Sequence, residues 1–252
     1  MTPRRPGRVA ATTLVPVAAV AAVHITPAVT WLPSVRRLLF PRLSGTGRWN
    51  HIALTFDDGP DPSSTPRFLE VLDGLGVRAT FFMLGESVTA YPALAGEVAR
   101  RGHELAVHGW THSRPWRPSP RRDAAEIRRS VHAVVEATGF RPRWYRPPYG
   151  ILTSGRWIAA RRAGVRPVLW TAWGRDWTAD ATAASVRALV GADLRGGGTV
   201  LLHDSDRASA PGAWRSALGA LPALVNDCRE AGLRVGPLSE HGTGRPAPAP
   251  AP

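Results

Sequence analysis

From His51 onward, short apolar runs alternate with stretches whose apolar residues recur at helical spacing. The runs HIALTF, ATFFML, ELAVH, RWYR, PVLWTAW, TVLLH and LRVGPL predict strands. Helices are expected to start near Ser64, Pro92, Ser119, Ser154, Ala181 and Gly212. Ser119 is a plausible cap because Pro120 follows it, and proline suits a first helical turn. Glycines such as Gly76 and Gly139 stand where helices should close. Strands alternating with helices imply parallel strands joined by right-handed crossovers, hence an α/β domain. Seven such strands fit an open doubly wound sheet or a closed barrel, and periodicity does not choose between them.

The two ends break this pattern. MTPRRPGR carries three arginines, and Ala10 to Leu32 then runs without Asp, Glu, Lys or Arg. That length is close to the ~20 residues that span a bilayer, although Pro16, Pro27 and His24 weaken it as a spanning helix. We read it as an uncleaved membrane anchor on an exported protein. A cleaved signal peptide with small residues around Ala19 to Ala22 and a buried helix are the competitors. Arg36, Arg37 and Arg42 follow the stretch, so flanking charge does not orient it. At the other end GTGRPAPAPAP is expected to be extended and disordered. The expected organisation is a basic terminus, apolar segment and linker over 1–47, the α/β domain over 48–240 and a Pro/Ala tail over 241–252.

Composition changes little. The net charge of +13 is carried by 32 arginines with no lysine, a bias that GC-rich coding accounts for. The excess favours anionic surroundings, but the arginines are scattered and no nucleic-acid-binding motif accompanies them. A nucleic-acid partner is therefore not expected. The single Cys228 rules out an intramolecular disulfide and a cysteine-based metal site. It lies in LPALVNDCREAGL, an amphipathic pattern that makes it a packed thiol.

Chemistry-bearing residues fall where parallel strands should end, which is where α/β active sites gather. Asp57 and Asp58 follow the first strand, His108 the third, Arg146 the fourth, Asp176 the fifth and His203 the sixth. Asp-Asp-Gly-Pro could be turn punctuation alone, but five strand ends on one face argue for a site. In HGWTH, a helical turn would put His108 and His112 on one face, ready to share a metal. A carboxylate from another strand end would complete three ligands with an open position, the pattern of catalytic metals. Such a set suits zinc, and also iron, cobalt, nickel or manganese. One aspartate can then ligate while its neighbour serves as a base, and His203 is the candidate acid.

These residues resemble the polysaccharide deacetylases of the NodB-homology type, carbohydrate esterase family 4, from about Ile52 to Leu238. Five motifs occur in the family's order: TFDDGP, HGWTH, RPPYG, RDW and LLH. The resemblance implies a distorted, incomplete (β/α)7-type barrel. It implies Asp57 as base, with Asp58, His108 and His112 holding one divalent metal, zinc first, with cobalt, nickel or manganese possible. By the same resemblance Arg146 orients the base and the Tyr149 backbone N–H faces the oxyanion. Asp176 tunes His203, the acid, while Trp177 walls the pocket and Leu201 lines its acetyl-methyl end. One departure stands out: the family's fourth motif opens with an aspartate where this chain has Trp173, followed by Gly174. The polarity and shape of the substrate rim should change there. Trp110 and Trp173 adjoin motifs and are candidates for the groove, and Asp204 to Trp214 reads as a loop beside the pocket.

The expected function is metal-dependent removal of N-acetyl groups from an amino-sugar polymer, peptidoglycan or chitin-like, outside the cytoplasm. O-deacetylation of xylan-type glycans and non-catalytic carbohydrate binding are the alternatives.

Overall fold

The computed structural model describes residues 22–114 and 119–243. Its strands are β1 (His51–Asp57), β2 (Thr80–Met83), β3 (Glu104–Val107), β4 (Trp144–Tyr145), β5 (Arg166–Pro167), β6 (Ala172–Trp173), β7 (Thr199–His203) and β8 (Arg234–Gly236). All described pairings are parallel, in the order β5-β4-β3-β2-β1-β7-β6, with β8 beside the start of β1. β5 and β6 do not pair, so the sheet curls into a barrel that stays open between them.

β1 is buried along its whole length, as expected for a central parallel strand covered on both faces. Its alternation separates two apolar regions. Ile52, Leu54 and Phe56 join the large core under the helices, while Ala53 packs with Phe82, Ala106, Trp144, Val168 and Leu238. Asp57, Phe82 and Ala106 are aligned across β1, β2 and β3. The period-2 rule therefore puts Asp57 on the same face as the smaller cluster, at its upper end.

The run PVLWTAW is two strands rather than one. Between β5 and β6 the backbone turns its hydrogen bonds away from a ladder. Leu169 N–H donates to Leu43 at 2.6 Å, Leu169 C=O accepts from Arg146, and Trp170 C=O accepts from Arg36. This segment crosses the opening of the barrel, and the count of strands becomes eight.

Helices begin at Thr65, Pro92, Pro120, Ser154, Ala183 and Trp214, within two residues of the sequence reading. Cys228 is buried in the last of these, Trp214–Glu230.

Residues ahead of 48 are built into the same body. A 3-10 helix, Thr26–Trp31, leads into the helix Pro33–Leu39, and His24, Thr30, Arg36, Leu43 and Ser44 are buried. Leu43 joins the main core. The second half of the stretch we read as an anchor thus folds onto the barrel, while 1–21 lie outside the described residues, as do 115–118 and 244–252 of the tail. No helix among the described residues is long and apolar enough to cross a membrane.

Candidate active site

Strand ends deliver the site. Asp57 is the last residue of β1, and Asp58 follows with φ of 81°. A left-handed conformation is costly for a residue with a side chain, on the order of 1–3 kcal/mol. Here it accompanies the turn of the Asp58 carboxylate toward the loop after β3. The other described non-glycine residues with positive φ, Tyr149 at 60° and Arg175 at 49°, also adjoin this region.

His108 and His112 do not share a helical turn. They lie in the loop that follows β3, which bends at Gly109 with φ of +95°, a backbone state that glycine enters freely. The loop still brings both rings to Asp58. His108 Nε2 is 3.4 Å and His112 Nε2 3.6 Å from Asp58 Oδ1. His108 Nδ1 lies 2.9 Å from the Arg146 carbonyl, which can only accept. The ring hydrogen therefore sits on Nδ1, and Nε2 turns a lone pair toward the carboxylate.

Whether these residues fit a cation can be read from what they lack. Both oxygens of Asp58 are buried without a hydrogen-bond partner. One ligand atom from each of Asp58, His108 and His112 lies within 4.8 Å of the others. Separations of 3.4 and 3.6 Å suit donors held about 2.0–2.2 Å from one shared tetrahedral ion. Burial keeps His108 well below its ordinary pKa and His112 down at about 3, so both rings are neutral, as ligands must be. Burial raises Asp58 to about 7, with His203 opposing and the charges of Asp57 and Asp176 adding to the rise. The donor set fits a divalent cation.

Asp57 is held from behind. Arg146, fully buried, donates to Asp57 Oδ1 at 2.7 Å, to Thr55 Oγ1 at 2.9 Å and to the Leu169 carbonyl at 2.9 Å. Its guanidinium lies 4.0 Å from the Phe82 ring centre. The free oxygen of Asp57 is left facing His108 Nε2 at 3.8 Å. Burial raises the Asp57 pKa, and the Arg146 charge opposes that rise.

Across from it His203 ends β7. Its Nδ1 is 3.0 Å from Asp176 Oδ1, and its backbone N–H donates to Asp176 Oδ2 at 2.7 Å. Burial alone would discharge this ring. The Asp176 charge and hydrogen bond, with Asp58 and Asp57 behind them, instead raise it to about 10. His203 is thus an imidazolium at neutral pH, oriented by Nδ1 and free to donate from Nε2.

All of these groups meet at one cavity of about 450 Å³. Asp57, Asp58, His108, His112 and His203 line it, with Leu201, Trp177 and Tyr149 around them. Arg146 and Asp176 stand behind the lining, buried.

Residues 44–168 match the family described as polysaccharide deacetylase. A chitooligosaccharide deacetylase of Bradyrhizobium sp. is 34% identical over 208 residues, covering 79% of this chain and 92% of the relative. The chain belongs to the polysaccharide deacetylase family. A peptidoglycan-N-acetylglucosamine deacetylase of Listeria monocytogenes is 36% identical over 160 residues, or 63% of this chain. The chain spans only 33% of that relative's length. Among solved structures, a family 4 carbohydrate esterase from Streptomyces lividans in complex with acetate superposes with a TM-score of 0.68 at 28% identity. That match covers 79% of this chain and 98% of the esterase.

Within this deacetylase family fold, Trp173 stands where the aspartate was expected. Its backbone pairs with Leu201, and its ring stacks on Trp170 at 5.5 Å and meets Trp177 at 4.8 Å. Gly174 is required behind it, since a Cβ there would lie 2.6 Å from Val186 Cγ1. Trp110 does not line the cavity. It packs over Gly85, with the Arg129 guanidinium 3.6 Å from its ring centre. Residues 204–213 form a loop as expected, in which Ala208 and Ser209 line the cavity, while Asp204 at its start is buried and accepts from Thr65 Oγ1 at 2.5 Å. Trp31 and the part played by Thr55 escaped the sequence reading. Trp31 lies in the supposed anchor, and Thr55 opens the TFDDGP motif without its sequence giving it a role.

Proposed function

We propose that this chain is a metal-dependent hydrolase that removes N-acetyl groups from an amino-sugar polymer, peptidoglycan or chitin-like. The observation that carries the reading is the opposition of two proton-handling pairs, Asp57 with Arg146 and His203 with Asp176, across one cation-fitting triad. The names of the Listeria and Bradyrhizobium relatives support the substrate class.

Asp58, His108 and His112 would hold the cation, with zinc the first candidate for a two-histidine, one-carboxylate set. When bound, it supplies Lewis acidity that polarises the amide carbonyl and makes water easier to deprotonate. Everything else falls to the protein. Asp57, fixed by Arg146, takes the proton from the attacking water. The Tyr149 backbone N–H faces the tetrahedral oxyanion, a donor of the kind whose loss costs about 3–4 kcal/mol. His203 gives its Nε2 proton to the amine nitrogen as the carbon–nitrogen bond breaks. Leu201 and Trp177 enclose the acetyl methyl group. Acetate and a glucosamine unit leave.

The cell envelope is the proposed place of action. The arginine-rich start followed by an uncharged run supports export, and exposed Val23, Leu38, Leu39 and Phe40 offer apolar surface for a membrane anchor. The decisive test of the base is Asp57→Asn. With metal bound, acetate release from N-acetylglucosamine oligomers should fall by at least about 10²-fold. Near-normal turnover in that variant would remove Asp57 from the role.

A further inference from the structure

The cavity has a wall that no motif announces. Trp31, from the 3-10 helix ahead of the barrel, lines the same cavity as Asp57 and His203. Its ring meets Trp173 edge-on, with centroids 6.5 Å apart. Trp173 leads to Trp177 at 4.8 Å, and Trp177 meets His203 edge-on at 5.9 Å. A continuous aromatic surface therefore runs from the acid group out to the amino-terminal segment.

Trp31 is held there by a built contact. Arg36, 2% exposed, donates to the carbonyls of Thr30 at 2.7 Å, Trp31 at 3.2 Å and Trp170 at 2.7 Å. Its guanidinium also lies 5.4 Å from the Trp170 ring centre. One buried cation thus ties the Trp31 backbone to the segment that closes the barrel. Val23 C=O, further back, accepts from Ser154 Oγ at 2.6 Å. Trp31 remains 46% exposed at the cavity edge, although burying its indole would be favourable.

A half-exposed aromatic wall, with Trp31 set edge-on to Trp173, fits one class of ligand here. Pyranose rings present apolar C–H faces with hydroxyls around the rim, so they pack face-on against indole while keeping their hydroxyls wet. Two rings intervene between Trp31 and His203, so the sugar that meets Trp31 is not the unit whose acetyl group reacts. We propose that Trp31, together with Trp173, forms a subsite for a neighbouring sugar of the amino-sugar chain, making the segment ahead of the barrel a determinant of substrate length. This rests on the amino-sugar reading of the site.

Calorimetric titration of the full chain with N-acetylglucosamine and with its tetramer tests the subsite without relying on turnover. An Asp57→Asn background keeps the sugars intact. The parent should bind the tetramer more tightly than the monomer. Trp31→Ala should remove about tenfold of that advantage, the scale of one lost aromatic contact, and Trp31→Phe should restore most of it. Thermal midpoints of both variants near the parent's would tie the loss to the contact. An unchanged length advantage in Trp31→Ala overturns the subsite and leaves the amino-sugar reading standing. Failure of the parent to bind either sugar overturns both.

Discussion

Asp176 grips His203 twice, taking its backbone N–H at 2.7 Å with one oxygen and its ring Nδ1 at 3.0 Å with the other. The double contact fixes both the position of the ring and its charge. Burial would favour neutral imidazole, yet the carboxylate holds the pKa at about 10. Asp176→Asn keeps the shape and removes the charge. The acid must be protonated to act, so activity is lost as pH rises through its pKa. In the variant the alkaline limb of kcat/KM should move down by about 1–3 pH units, and kcat at pH 7 should drop on the order of 10²-fold. A pH–rate profile of both proteins reads this directly, and an unshifted limb would mean that another group donates the proton.

Asp58 makes an opposite demand in the metal-free and metal-loaded protein. Without a cation its buried carboxylate has no partner, and burial raises its pKa to about 7. A folded pKa above the unfolded ~3.9 means that stability falls as pH rises between the two values. Asp58→Asn should therefore stabilise the metal-stripped protein at pH 8 by on the order of 2 kcal/mol. With zinc in excess the order should reverse, because only the parent gains full binding energy. Thermal melts of both proteins with chelator and with zinc should cross over. Parallel shifts in the two proteins would remove Asp58 from the ligand set.

A buried histidine pair lies at the other end of β1. His241 Nε2 is 3.0 Å from the carbonyls of Gly45 and Gly197, so that nitrogen donates, and its Nδ1 accepts from His51 Nδ1 at 2.9 Å. The pair works only when neutral. Burial, aided by Arg234 and Arg48, lowers His51 to about 4; burial and His51 lower His241 to about 4. The unfolded chain takes these protons first, so the pair's stabilisation is full above pH ~6.5 and is lost as pH falls toward 4. Asp58 and Asp204 carry the opposite linkage, so the difference between proteins is the readout. The stability gap between the parent and His51→Phe, from urea unfolding, should shrink by about 1–2 kcal/mol between pH 7 and pH 4.5. A constant gap would contradict the assignment.

Much of this was legible in the chain. β1 is a continuous apolar run ending in two aspartates, so both its burial and its place at the site could be read from HIALTFDD. Asp176 and His203 were likewise marked by falling just after strand patterns. The spacing of His108 and His112 suggested a helical turn, but Gly109 allows a loop to converge on Asp58 instead. PVLWTAW looked like one strand because periodicity records side-chain polarity. It does not record that Leu43, Arg36 and Arg146 claim the backbone of Leu169 and Trp170. Trp31 was hidden for the same reason: its importance comes from a tertiary tie through Arg36, while its local sequence reads as an apolar segment.

The central claim is that a cation held by Asp58, His108 and His112 enables hydrolysis of an N-acetyl amide. The measurement that tests it is acetate release from N-acetylglucosamine oligomers and peptidoglycan by the full chain, stripped with chelator and then re-supplied with zinc. Release should vanish on stripping, return with zinc, and fail to return in His108→Ala. Equal release from stripped and re-supplied protein, or restoration by zinc in His108→Ala, would contradict the account.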